Sequence, residues 1–199
     1  MDLIEQVMKQ LQGGGISEIS RQVGASENQV TDVVSGALPA ILAGLSRNAS
    51  SSKGSSALAS ALDRDHDGGI LGDVAGFLGG GGGAIGGSIL RHVLGGKQSP
   101  VESALGQAAG LDGSKVGQIM AMVAPLVMGV LGKQKKSQGL DASALASLLG
   151  GERKAAEQKA PDAMGMLGKL IDSDGDGDIM DDVVGKLGGG LLGGLFGGK

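Results

Sequence analysis

The chain has 199 residues, a net charge of -4 and a pI near 5.1, a balance that speaks against a nucleic-acid surface. It has no Cys, which excludes a disulfide framework and any thiol or thiolate-zinc site; with two Phe and no Trp or Tyr, a core must come from Leu, Ile, Val, Met and Ala. Glycine supplies 41 residues, far above the usual ~7%, and each interior helical Gly costs roughly 1 kcal/mol relative to Ala, so close backbone packing or an oligomer has to compensate.

The opening Met1-Asp2-Leu3-Ile4-Glu5-Gln6 has neither the basic segment nor the long apolar run of a secretory signal. The expected compartment is therefore the cytoplasm, with signal-less export as the alternative. Residues 1–12 read as a short helix with Leu3, Ile4, Val7, Met8 and Leu11 on one face, stopped by Gly13-Gly14-Gly15. A second short helix carries Ile16, Ile19 and Val23. After Gly24-Ala25, Ser26 and Gln29 form a capping-box pattern at the head of a longer helix. Its apolar period runs Val30, Val33, Val34, Ala37, Leu38, Ile41, Leu42, Leu45, with Pro39 expected to kink it.

This helix, turn, helix arrangement has the outline of a DNA reader. The second helix, however, has no Lys or Arg before Arg47, so phosphate neutralisation is missing where a recognition helix needs it. No nucleic-acid partner is expected, and a helix-turn-helix-like regulator is only an alternative. Residues 48–56 read as a Ser-rich linker, 57–62 as a short helical stretch, 70–78 as a helix, 79–83 as a run of five glycines and 84–94 as a small helix.

The second half repeats the first. Gly110 to Val116 aligns with Gly24 to Val30 at an offset of 86, and at that offset Pro125 falls on Pro39 and Leu131 on Leu45. A charged insertion around residues 151–168, holding Glu152, Arg153, Lys154 and Pro161, reads as a solvated excursion. The expected architecture is all-α, as two tandem helical repeats, 1–98 and 99–199. Each alone has a thin core, so the two should pack together.

Two acidic stretches, 63–73 and 172–182, share Asp at positions 1, 3, 5 and 11, Gly at 6 and Ile at 8. Alternating carboxylates converge when a chain winds tightly, and the glycine permits the turn, which is the chemistry of a calcium loop. The candidate ligands are Asp63, Asp65, Asp67, Gly69 through its carbonyl, and Asp73, then Asp172, Asp174, Asp176, Asp178 and Asp182, giving two Ca2+ sites. Position 12, where an EF-hand carries its bidentate Glu, is Val74 and Val183. The competing reading makes each stretch a solvated acidic helix cap.

The segment Met120 to Gly132, the stretch Ser143 to Gly151, the Asp-x-Asp-x-Asp-Gly loop and the Leu-Gly-Gly-Gly-Leu-Leu-Gly-Gly tail together resemble the YidB-like bacterial proteins (domain of unknown function 937). That resemblance implies an all-α protein and no agreed activity.

In residues 187–198 glycines recur four apart, as do Gly82 with Gly86 and Gly83 with Gly87, which suits close helix packing. Twelve residues are too few to span a bilayer, and the uncharged stretch from Val74 to Leu90 is nearly half glycine, so membrane association by glycine-zipper segments is possible but not favoured. For catalysis the chain offers His66 and His92 and neither a nucleophile elbow nor a phosphate loop. The reading is a non-enzymatic calcium-binding structural protein whose ordered helices support a homo-oligomer.

Overall fold

The computed structural model describes residues 2–81 and 83–159, and every regular element among them is helical. In chain order they are α1 (Leu3–Gln12), α2 (Gly15–Val23), α3 (Glu27–Asn48), α4 (Ser52–Asp65), α5 (Val74–Gly79), α6 (Gly83–Leu94), α7 (Gln98–Ala109), α8 (Gly113–Gln138) and α9 (Ala142–Lys159). Short 3-10 turns occupy Gly69–Gly72 and Gly95–Lys97.

The start of α3 follows from Ser26 and Gln29. The Ser26 hydroxyl accepts from the Gln29 backbone N–H, and the Gln29 side chain accepts from the Ser26 backbone N–H, so two donors at the helix start are satisfied reciprocally. The helix continues through Pro39 to Asn48. Downstream, the Ser-rich segment expected to be a linker is mostly helix. Ser51 caps α4 by accepting from Gly54 N–H at 3.0 Å. Within it, Ser55 and Ser60 return their hydroxyls to the carbonyls of Ser52 and Ser56. The expected helix over 70–78 is instead a 3-10 turn followed by the six residues of α5. The uncharged stretch from Val74 to Leu90 is accordingly divided between α5 and α6.

The expected solvated excursion after Gly151 begins as helix, since α9 runs through Glu152 to Lys159. The Glu152 carboxylate accepts from the Leu3 N–H at 3.0 Å, one of the unpaired donors of the first turn of α1. A charge expected in open solvent thus caps another helix.

Helix α8 lies at the centre. From Met122 to Gly132 each residue is buried, and α1, α2, α3, α4, α6 and α7 all pack on it. Leu3, Ile41, Leu62, Leu90, Met120 and Leu149 belong to one hydrophobic core, which residues on both sides of position 98 share. Helix α6 crosses α8 most closely through Gly86, where an added Cβ would stand 1.5 Å from the Ala121 carbonyl oxygen. Gly83 faces Met122 at ordinary contact distance, and Gly87 faces open space. Among the described glycines of the two strips, Gly86 therefore serves backbone contact inside the fold.

The turn between α2 and α3 and the turn between α7 and α8 hold each other. The Lys115 ammonium donates to the Gly24 carbonyl at 2.8 Å, while the Gln29 amide donates to the carbonyls of Ala109 and Gly110, both at 3.2 Å. By length and hydropathy α3 and α8 could each cross a membrane, but 56% and 78% of their apolar windows are buried against other helices of the chain. A helical core accounts for that hydropathy.

Candidate metal centre

The first acidic stretch joins α4 to α5 and lies along the C-terminal half of α8. Leu62 is buried and fixes the end of α4 against the core. Asp63 and Asp65 follow within the last helical turn, and both are exposed. The Asp63 carboxylate meets the Lys135 ammonium of α8 at 2.6 Å. His66 ends the helix, and its carbonyl approaches α8 so closely that a Cβ on Gly132 would stand 1.8 Å from it.

The chain turns at Gly68, whose φ of +95° is natural only for glycine. The Asp67 carboxylate accepts from the Gly69 N–H at 3.0 Å, tightening that turn. Ile70 and Leu71 then pack over Gly129 of α8. Asp73 closes the segment by accepting from Gly76 N–H at 2.8 Å, which caps α5. Gly69 is exposed at the start of the 3-10 turn.

Three of the four carboxylates thus have a local occupation. Asp63 faces Lys135, Asp67 its own turn, and Asp73 the head of α5. Asp63 and Asp65 share a helical turn, and side chains two apart on a helix diverge by about 200° around its axis. Among the described residues no three acidic or imidazole side chains gather as a metal-holding group. Asp172, Asp174, Asp176, Asp178 and Asp182, with the tail at 187–198, lie outside the described residues.

Burial lowers the pKa of the half-buried His66, with the neighbouring Asp65 carboxylate opposing the shift. At neutral pH its imidazole is uncharged. On α2 the partly covered Glu18 is held below its usual range by hydrogen bonds from Arg21 and Gln22, and Gln22 also donates to the Leu78 carbonyl of α5.

Sequence reasoning placed the loop but not its platform. Lys135, Gly129 and Gly132 on α8 hold it, and the signal that could have found them is the pair of glycines on a single face of an otherwise bulky apolar helix. A family model described as "Bacterial protein of unknown function (DUF937)" matches residues 5–134, from α1 through most of α8. No curated protein and no solved structure matches the chain.

Proposed function

Since the chain belongs to the DUF937 family of bacterial proteins of unknown function, no inherited activity constrains the reading, and we propose a non-enzymatic calcium-binding structural protein whose metal-ordered helices support self-association. The observation that carries it is the doubled Asp-x-Asp-x-Asp-Gly pattern, whose first copy turns at a left-handed Gly68 with Asp63, Asp65, Asp67 and Asp73 all exposed. The donor set is all oxygen and negatively charged, as calcium prefers.

Binding there exchanges existing bonds. Asp63 leaves Lys135, Asp67 releases the Gly69 N–H, and the last turn of α4 unwinds so that Asp63 and Asp65 can point the same way. The ion would hold these carboxylates and the Gly69 carbonyl, with Asp73 completing the shell. Calcium then acts on the angle between α4 and α5 instead of adding to a finished site.

The tandem-repeat reading has support in the clamp between turns. Gln29 and Lys115 stand 86 positions apart, as do Gly24 and Gly110, and each polar side chain reaches the other unit's turn. A duplicated unit that pairs about an approximate twofold axis makes such reciprocal bonds. The exposed face at the head of α3 carries Glu27, Asn28 and Asp32, which argues against a nucleic-acid role for it.

Calorimetric titration of calcium into chelated protein, with sedimentation of both forms, tests the proposal. Two binding events accompanied by an increase in size support it. Absence of binding reduces both acidic stretches to helix caps and removes the functional reading.

A further inference from the structure

Both histidines of the chain line one cavity, although nothing in the acidic loop or in α6 singled them out as a pair. The cavity, of about 340 Å³, lies between α4 and α6 over Met128 of α8. That volume is near the lower end of small-molecule sites, and it corresponds to about ten waters.

Its shape follows from α4. Gly54, Ala57 and Ala61 lie on the face of α4 that borders the cavity, and with nothing larger than a methyl group on them that wall stays low. From Gly54 to His66 the wall extends about 18 Å at 1.5 Å per residue. The middle is apolar, with Leu58, Ile89, Val93 and Met128 facing in. The polar groups are His66 where α4 ends, and Asn48, Ser88 and His92 elsewhere on the rim. Asn48 is held in place because its amide donates to the His92 carbonyl at 2.9 Å.

None of the lining residues carries a permanent charge. A charged ligand head would lose its hydration without an opposite charge to meet. An uncharged hydroxyl suits the rim better, because a neutral imidazole offers one donor and one acceptor, and so does an alcohol. A lining that follows α4 from Gly54 to His66 favours a straight chain over a ring.

We propose that this cleft binds an uncharged medium-chain amphiphile, its alkyl chain along Ala57, Leu58 and Ala61 and its hydroxyl hydrogen-bonded to the imidazole of His66. The cleft exists with the acidic stretch as described and uses none of its carboxylates. His66 lies within that stretch, so binding is read in chelator, where its failure leaves the calcium reading standing.

The test uses 1-octanol as the probe, titrated calorimetrically into the full-length chain in chelator, with octanoate and octylammonium as charged counterparts at pH 8. One 1-octanol binds per chain, and the two ions bind about tenfold more weakly or worse. Ala61→Phe fills the cleft and abolishes binding. Ala57→Leu, at an exposed position, weakens binding while the melting temperature stays near wild type. His66→Leu keeps the apolar wall but loses the hydrogen bond, weakening octanol about five- to tenfold. The proposal is overturned if wild-type protein does not bind 1-octanol, if the three probes bind equally, or if Ala57→Leu and Ala61→Phe both bind as wild type does.

Discussion

Helices α3 and α8 align in sequence at an offset of 86, each with a proline inside it, yet they do different work. Helix α3 is 22 residues long and buries one broad face from Val30 to Leu45, leaving Asp32 and Ser35 in solvent. Helix α8 is 26 residues long and is enclosed on all sides from Met122 to Gly132. Their glycines show why. On α3, Gly36 admits only the side-chain tip of Leu105, whereas Gly44, near the C-terminal end, admits both the side chain and the carbonyl of Val93. On α8, Gly132 admits the backbone of His66, and α6 brings Gly86 against the carbonyl of Ala121. Positions 129 and 132 correspond at the offset of 86 to Ala43 and Ser46, so the loop-bearing glycines of α8 have no counterpart on α3. A shared apolar pattern sets the fold, and the placement of glycine decides which helix neighbours can approach backbone to backbone.

The most damaging way to break this arrangement is at the α6 crossing. Gly86→Ala puts a methyl where the Ala121 carbonyl stands, so the helices must separate, and we expect a loss of about 3 kcal/mol in urea unfolding. Gly132→Ala faces a backbone obstacle too, but one carried by a loop that can shift, and a loss of about 2 kcal/mol is expected by the same measurement. On α3 the contrast sharpens. Gly36→Ala meets only the Cδ2 atom of Leu105, at 2.4 Å from the new methyl, and a rotamer change relieves it. The helix also gains up to about 1 kcal/mol of intrinsic propensity, so the net change should lie within about 1 kcal/mol of zero. Should Gly36→Ala prove as damaging as Gly86→Ala, the distinction between side-chain and backbone contacts is wrong.

Much of this fold is legible in the residues, and the exceptions have physical causes. The capping box at Ser26 and Gln29, the apolar stripe of α3 and the stop at Gly24 are local signals satisfied by local bonds. The extent of α4 was hidden because serine reads as a linker residue. In the chain, Ser51 caps the helix, and the serines within it bond back to its own carbonyls. The fate of Glu152 was hidden for a different reason: its partner, the first turn of α1, is 149 positions away. Within the acidic stretch, the turn at Gly68 was readable from one glycine, whereas the hold of Lys135 on Asp63 depends on a tertiary approach that no spacing encodes.

The smallest expected change in stability carries the sharpest test of the loop. The Lys135–Asp63 pair joins a mostly covered ammonium to an exposed carboxylate, and such pairs contribute about 0–1 kcal/mol. Lys135→Met should therefore unfold within about 1 kcal/mol of wild type in chelator. Its effect on calcium should be larger, because the same substitution frees the carboxylate at position 1 of the loop and removes a positive charge beside it. We expect tighter binding at the first site, read as a lower calcium midpoint in calorimetry. Asp63→Asn should do the reverse, with stability in chelator nearly unchanged and the first binding event weakened. If Lys135→Met and Asp63→Asn shift calcium affinity in the same direction, or leave it unmoved, Asp63 is an ion-pair partner on α8 and not a ligand. The first acidic stretch would then be a docking element for the central helix alone.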